Sequence, residues 1–236
     1  MPGLIDSARA VLSSAEKRLE ASAQNVANAS TPGFKRAVSF SQALDKCDAA
    51  SACGTGQVLQ FDFRQGQLRE TGAAFDLAIY GPALLQLRAG DQAVYSRGGS
   101  FARGEDGTLI DAAGHVLQQA GGGDLVLSGS GDPEILGDGT VLEGGLPTAR
   151  IALFEAADTA ALSAAGGTTF TTSASLDEAE GSILRQGFIE TSNVVMSDEM
   201  IAMMASVRQA EGGGRLVQFY DELIGQAITT FSRNSR

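Results

Sequence analysis

Asp62 with Glu70, and Glu105 with Asp106, are the carboxylate pairs from which a glycan-cleaving site could be built. On the turns of an acidic chain, such residues read as solvated surface. His115 is the single histidine, set in Gly114-His115-Val116-Leu117, a turn-to-strand context that reads as an exposed turn rather than a base. No Gly-x-Ser-x-Gly elbow supplies a nucleophile for it, and no glycine loop carries the Lys-Ser/Thr of a phosphate-binding loop. Cys47 and Cys53 are the only cysteines. A short disulfide loop is possible, a pair of free thiols is the simpler reading, and no further Cys/His cluster completes a zinc site. These residues predict no catalyst, no cofactor, no metal and no small-molecule substrate.

The balance of charge narrows the partners. The formal net charge is −11 over 236 residues, without a Lys/Arg run, so the clustered cations that phosphate backbones require are missing and nucleic acid is not an expected partner. There is no tryptophan, and thirty glycines mark a turn-rich chain. No stretch has the length and apolarity to span a bilayer. The start, Met1-Pro2-Gly3-Leu4-Ile5-Asp6, lacks a basic segment followed by an apolar run, so a cleaved secretory signal is not expected.

What organises the chain lies at its ends. Ile5, Ala8, Leu12, Ala15, Leu19, Ser22 and Val26 recur at alternating steps of three and four, a narrow seam on a helix predicted over Leu4 to Ala27. Such a helix is on the order of 35 Å long. It runs into Asn25-Val26-Ala27-Asn28-Ala29-Ser30-Thr31-Pro32-Gly33-Phe34-Lys35. Asn28 is suited to a left-handed helix end, and Thr31-Pro32-Gly33 to a tight turn, with Gly33 at a positive φ. At the other end Ser197 is a suitable N-cap, and Asp198 and Glu199 complement the helix dipole. Met200, Met203, Val207, Ala210, Val217, Ile224, Ile228 and Phe231 continue a heptad-like register. Period alone fits two pictures equally: the ends pair as a coiled coil, or two amphipathic helices lie on one globular core. Gly212-Gly213-Gly214 interrupts the second helix and predicts a kink, a break, or a helix held straight by neighbours.

Between the ends the period changes to two. Leu59, Phe61 and Phe63 alternate with polar residues; Phe75–Tyr80, closed by Gly81-Pro82 and followed by Ala83 to Arg88, and Thr108–Ile110, His115–Gln118, Asp124–Leu127, Thr140–Leu142 and Arg150–Phe154 are predicted strands between glycine turns, and Thr168–Thr172 is β-prone by composition. The expected fold is α+β: terminal helices in residues 1–35 and 192–236, a linker over 36–57, and a central antiparallel β domain over 58–191.

Several motifs, in order, resemble one family, the axial (rod and hook) proteins of the bacterial flagellum. Gln24 to Lys35 is similar to the N-terminal signature of that family. Phe63 to Gly72 followed by Phe75 to Gly81, then Tyr95-Ser96-Arg97-Gly98-Gly99-Ser100-Phe101 and Gly107 to Gly114, resemble its strand-turn-strand segments. Gln186-Gly187-Phe188-Ile189-Glu190-Thr191-Ser192-Asn193-Val194 looks like its lead-in to the last helix. Two departures stand out: Gly81-Pro82-Ala83-Leu84-Leu85 replaces a usual aromatic pair, and the glycine triplet replaces helix formers.

The resemblance implies a structural subunit of the basal-body rod. The short linker favours the proximal over the distal kind of rod subunit. It also implies terminal helices forming a coiled-coil core, and export by the flagellar apparatus without signal cleavage into a periplasmic rod. Partners would be copies of itself and other rod proteins. The assembly residues expected on this basis are Ile5, Leu12, Leu19, Asn25, Val26, Asn28, Thr31, Gly33, Phe34, Met200, Met203, Val207, Val217, Ile224 and Ile228. Ile5, Leu12, Leu19 and Val26 are expected to bury against Met200, Val207, Val217 and Ile224. Two rivals from other classes remain at this point, a glycan-acting enzyme and a surface binding module. Either would keep its activity when both ends are removed.

Overall fold

The computed structural model describes residues 3–42, 56–129, 131–179 and 181–234. The chain divides into two units: a helical unit of residues 1–27, 37–59 and 195–236, and a β unit of residues 28–36 and 60–194. Cys47 and Cys53 lie outside the described residues.

In the helical unit, helix α1 covers Gly3–Ala27 and helix α2 covers Met196–Asn234. α1 is rich in Ala, Leu and Glu and free of Gly and Pro after its first residue, and Asp6 sits in its first turn, where the dipole favours a carboxylate. α2 begins at Met196, so Ser197 lies inside the first turn rather than capping it. Asp198 and Glu199 do occupy that turn, and their amides both reach the carbonyl of Val195. Two strands, Ala37–Gln42 and Gly56–Phe61, pair with each other.

α1 and α2 pack antiparallel. Asn25 meets Glu199, Arg18 meets Gln209 and Leu12 meets Gly213, so one number falls as the other rises. Ala8, Ala15, Ala21, Ser22 and Asn25 are buried on α1, and Glu199, Ser206 and Gly213 on α2. The expected apolar pairs do not fill these positions. Ile5, Met200, Val207 and Ile224 are exposed, while Leu12, Leu19, Val26, Met203 and Val217 are half-buried along the seam. The physical reason is size. Small residues at the centre let the helices approach closely, and the larger side chains are displaced to the flanks.

α2 is continuous through the glycine triplet. A Cβ built on Gly213 would stand 3.0 Å from Cγ of Leu12, whereas Gly212 and Gly214 have nothing within 4 Å. Gly213 is therefore a notch that receives Leu12, and this contact supplies the packing that the triplet lacks. Gly3, the first residue of α1, is nine before Leu12, and nine after Gly213 is Glu222, so α2 from Leu223 onward overhangs its partner.

The β unit is antiparallel throughout its named ladders. Leu84–Ala89 lies at the centre of the largest sheet, paired with Gln92–Ser96, Val116–Leu117 and Leu153–Glu155. Asp76–Tyr80 is sandwiched between Ile183–Gln186 and Gly98–Ser100 in a second sheet, and Leu68–Glu70 pairs with Phe188–Glu190. Leu77, Ile79, Leu85, Leu87, Leu109, Leu117 and Leu184 form one core. Leu84, Leu162 and Phe170 form another, against which Phe61 and Phe63 pack with ring centroids 5.2 and 4.9 Å from that of Phe170.

The departure at residues 81–85 is thus absorbed: Leu84 and Leu85 face opposite sides and fill one core each. Some strand limits differ from expectation. Phe63 lies beyond its strand, Asp124–Leu127 makes only isolated bridges, and Arg150–Phe154 is split between Leu146–Arg150 and Leu153–Glu155. At Arg150–Phe154 the chain changes partners: Arg150 pairs with Thr140, Ile151 bridges Gln119, and Leu153 pairs with Leu85.

Candidate functional site

Two features stand out: the face that the helical unit presents, and the buried polar cluster of the β unit at the segments leading to the helices.

On α2, large apolar side chains remain uncovered. Met200, Ile201, Met204 and Phe219 are between 52% and 65% exposed, and Met196, Val207, Leu216 and Leu223 are also exposed. Met196, Met200, Met204 and Val207 follow steps of four, four and three, and Leu216, Phe219 and Leu223 follow steps of three and four. Both runs are helical stripes on faces other than the one taken by α1. The side chain of Ile228 lies outside the described residues. Asn25 ties the pair together at its other end. Its side-chain amide donates to the carbonyl of Ala37 at 2.8 Å and to Oε2 of Glu199 at 3.1 Å, and its oxygen accepts the amide of Ala37 at 2.8 Å. Asn25 and Glu199 are each 1% exposed.

In the β unit, the turn after α1 is built as the sequence predicts at Gly33 and differently at Asn28. Gly33 has φ +74°, and a Cβ there would meet the carbonyl oxygen of Gly98 at 3.2 Å. Among the described residues only glycines have positive φ, so Asn28 does not take the left-handed end. Its carbonyl instead accepts the amide of Thr31 at 3.0 Å and its side chain accepts the Thr31 hydroxyl at 3.3 Å, which closes the chain without that conformation. Phe34 is buried.

Beside this turn lie three buried ions. Nζ of Lys35 donates to Oε1 of Glu190 at 2.6 Å and to the carbonyl of Arg64 at 2.8 Å. Nε of Arg97 donates to Oε2 of Glu190 at 3.1 Å, and its other nitrogens reach the carbonyls of Ala83 and Ile79. The amide of Gly66 donates to Oε1 of Glu190 at 2.7 Å. All three charged side chains are no more than 1% exposed. Burial pushes the Lys35 ammonium below the usual lysine range, and Glu190 opposes that shift. Nearby, Oδ1 of Asn193 accepts the amide of Arg36 at 2.8 Å, and its amide donates to the carbonyls of Asp62 and Arg64. Lys35, Arg97, Glu190 and Asn193 were not among the expected site residues. Each sits inside one of the motifs quoted above, which was the available signal.

The residues considered for catalysis find other uses. Asp62 binds Arg64, which holds its carboxyl below the usual range. His115 is half-buried rather than exposed, with Nδ1 2.8 Å from Asp111, whose other oxygen accepts the His115 amide at 2.8 Å. That is the closure of a turn. It borders a depression of 480 Å³ lined partly by Thr31, Pro32, Ser96 and Ser100. Among the described residues no group of acidic, His or Cys side chains could hold a metal ion, and no helix is long and apolar enough to cross a membrane.

Residues 185–230 match the family described as flagellar basal body rod FlgEFG protein C-terminal. The chain is 27% identical to the flagellar basal-body rod protein FlgF of Caulobacter vibrioides, over 90% of this chain and 91% of that protein. It is 28% identical to FlgF of Rhizobium meliloti, over 91% and 92%. It is 25% identical to the flagellar basal-body rod protein FlgG of Bacillus subtilis, over 90% and 93%. The matched C-terminal segment contains Glu190, the start of α2 and the Gly213 notch. With the ordered motifs, this near full-length similarity makes the chain similar to the flagellar basal-body rod proteins, FlgF and FlgG among them.

Proposed function

We propose that this protein is a structural subunit of the proximal rod, FlgF-like, that assembles through its terminal helices into the helical shaft that transmits motor torque. The observation that carries this is the uncovered apolar surface of α2, from Met196 through Val207 and again over Leu216 to Leu223. Contiguous exposed apolar surface of this kind marks an interaction site. The seven-residue spacing among the buried positions Ala8, Ala15 and Ser22, and among Glu199, Ser206 and Gly213, supports a coiled-coil pairing of α1 with α2. A subunit with one helix pair and apolar flanks suits heterologous packing, in which neighbours cover what each chain leaves open and the array grows as a helix.

Its partners are then copies of itself and adjacent rod proteins. It reaches the periplasmic rod through the flagellar export apparatus without a cleaved signal. The expected organisation is 1–35 with 192–236 for assembly, 36–57 as linker, and 58–191 outside the shaft core. The similarity to FlgG keeps a distal-rod position as the second reading.

Crosslinking in purified basal bodies tests both. Cysteines at Met200 and Phe219 should crosslink to neighbouring rod subunits at the proximal end. Crosslinks confined to the distal end would favour the second reading, and absence of the protein from basal bodies would refute both. Removing residues 1–27 and 195–236 should abolish incorporation, whereas an enzyme or a binding module would keep its activity.

A further inference from the structure

Both segments that lead to the helices pass one buried carboxylate. Residues 28–36 follow α1 and residues 187–194 precede α2, and within the β unit Glu190 holds them together. Its backbone carbonyl accepts the amide of Gly33 at 2.8 Å, its Oε1 accepts Lys35, and its Oε2 accepts Arg97, itself anchored on the carbonyls of Ala83 and Ile79. Gly66 adds a third segment, and Asn193 repeats the tie one turn of chain later through the amide of Arg36.

We infer that Lys35, Arg97 and Glu190 form a load-bearing clamp: they are positioning residues that fix the two helix-bound segments to one point of the β unit, so that force on the helices enters its core there. This assignment deepens the rod role proposed above and rests on it, because sustained load on the helices arises only in a shaft.

The chemistry suits that task better than an apolar contact would. Apolar packing has no direction, so two segments held by it can slide at little cost. A carboxylate shared by an ammonium, a guanidinium and an amide has fixed directions, and charge-assisted hydrogen bonds are the strong ones. Drawing either segment away leaves a charge buried without its partner, which is strongly opposed. The cluster holds two cations and one carboxylate, so it is not a neutral pair that could be replaced by any two fitting apolar groups.

The test uses the double variant Lys35→Met/Glu190→Gln. The native cluster carries a net single positive charge. The double variant carries the same charge on Arg97, which keeps its carbonyl partners, so the two ion pairs are lost without changing the buried charge, while the backbone bond from Gly33 to residue 190 and an acceptor for Gly66 remain, no longer held in place by the ions. In the purified full chain, the amides of Gly33 and Gly66 should exchange with solvent about tenfold faster or more than in the native chain, while the amides of Leu85 and Leu87 keep their protection. Unchanged exchange at Gly33 and Gly66 would overturn the clamp.

In cells, the variant subunit should enter basal bodies in native amounts, yet swimming speed should fall at least about twofold more steeply with viscosity than in the wild type. A role confined to folding would lower incorporation instead and leave the load dependence unchanged in flagella that form, and that result would overturn the clamp. Should the double variant not fold, Lys35→Met alone leaves the Arg97–Glu190 pair intact and removes only the ionic tie of the segment after α1. It should raise exchange at Gly33 and steepen the load dependence, and no change in either would overturn the clamp. A strain lacking the protein that swims normally would refute the rod role and, with it, the load assignment. The exchange result would then show separately whether the tie itself exists.

Discussion

In the β unit Leu77, Ile79, Leu85 and Leu87 are at most 1% exposed, and even three ions are enclosed. On α2 the large apolar side chains stand mostly in solvent, while the helix seam is filled by Ala8, Ala15, Ser22, Ser206 and Gly213. The difference lies in where each unit spends its apolar residues. The β unit fills two cores by alternation within strands and leaves only scattered large apolar side chains, such as Leu146 and Tyr80, in solvent. The helical unit uses small side chains to bring its own helices together and reserves the large ones for outward faces. Burying a large apolar side chain stabilises by roughly 1.5–3 kcal/mol, so several outward residues on α2 represent stabilisation that the single chain does not realise. One unit therefore encloses most of its large apolar residues, and the other leaves a run of them uncovered along a single helix.

The contrast can be broken most forcefully at Glu190. Replacing it alone, Glu190→Gln, leaves Lys35 and Arg97 buried without their carboxylate, and the β unit should lose about 3–5 kcal/mol of stability. Urea titration followed by circular dichroism measures this, and a loss below 1 kcal/mol would show that the ions are not paired as described. Gly33→Val comes next. A β-branched residue at a positive φ is a strong outlier, and the carbonyl of Gly98 leaves little space, so the β unit should lose about 2–3 kcal/mol. Native stability for this variant would mean that the turn takes another conformation.

The glycine triplet sharpens the comparison, because its three members should behave differently. Gly213→Leu should force Leu12 aside and destabilise the helix pair by about 1–3 kcal/mol. Gly212→Ala and Gly214→Ala meet open space and should each stabilise the helix by roughly 0.5–1 kcal/mol. Thermal melts monitored at the helical circular dichroism band separate the three, and equal responses would remove the notch. Hydrogen exchange over residues 205–226 adds a second measure, with fast exchange expected in the free chain and strong protection in the rod.

Lys35 gives a pH signature confined to the β unit. Its folded pKa is lowered from 10.5 by burial, so folding disfavours its charged form. Between the lowered value and 10.5 the unfolded chain binds the extra proton, and stability rises with pH over that window. Relative to Lys35→Met, the native protein should therefore gain stability as alkaline pH approaches 10.5 and lose that gain as pH falls through the folded value. A flat difference between the two proteins would contradict the buried ammonium. The smallest effect on stability belongs to the exposed face. Met200→Glu should change monomer stability by no more than about 0.5 kcal/mol, yet it should abolish incorporation into the rod. A variant that incorporates normally would remove Met200 from the assembly face.

Much of this architecture was legible beforehand. The heptad steps at both ends, the change of period after residue 58, and the glycine turns mark two helices around an antiparallel β region, because periodicity is a local property of the chain. The positive φ of Gly33 was readable from Thr31-Pro32-Gly33 for the same reason. Even the resemblance to the axial proteins is carried by short ordered motifs. The expected partners across the seam were not legible. Size, not apolarity, decides which residues occupy the centre of a close helix pair, so Met200 and Val207 face outward and Gly213 faces Leu12. A run of three glycines gives no sign of which one is covered.

Most remote from the sequence was the cluster at Glu190. Lys35, Arg97 and Glu190 are far apart in the chain, and each alone resembles an ordinary surface charge. Burial of an ion is tolerable only where its partners converge, and that convergence exists only once the sheets have formed. The sequence by itself determined the elements, their order and the resemblance to rod proteins; tertiary structure decided which glycine became a notch, which methionines stayed in solvent and which charges went inside, because those outcomes depend on distances between residues that no local pattern encodes.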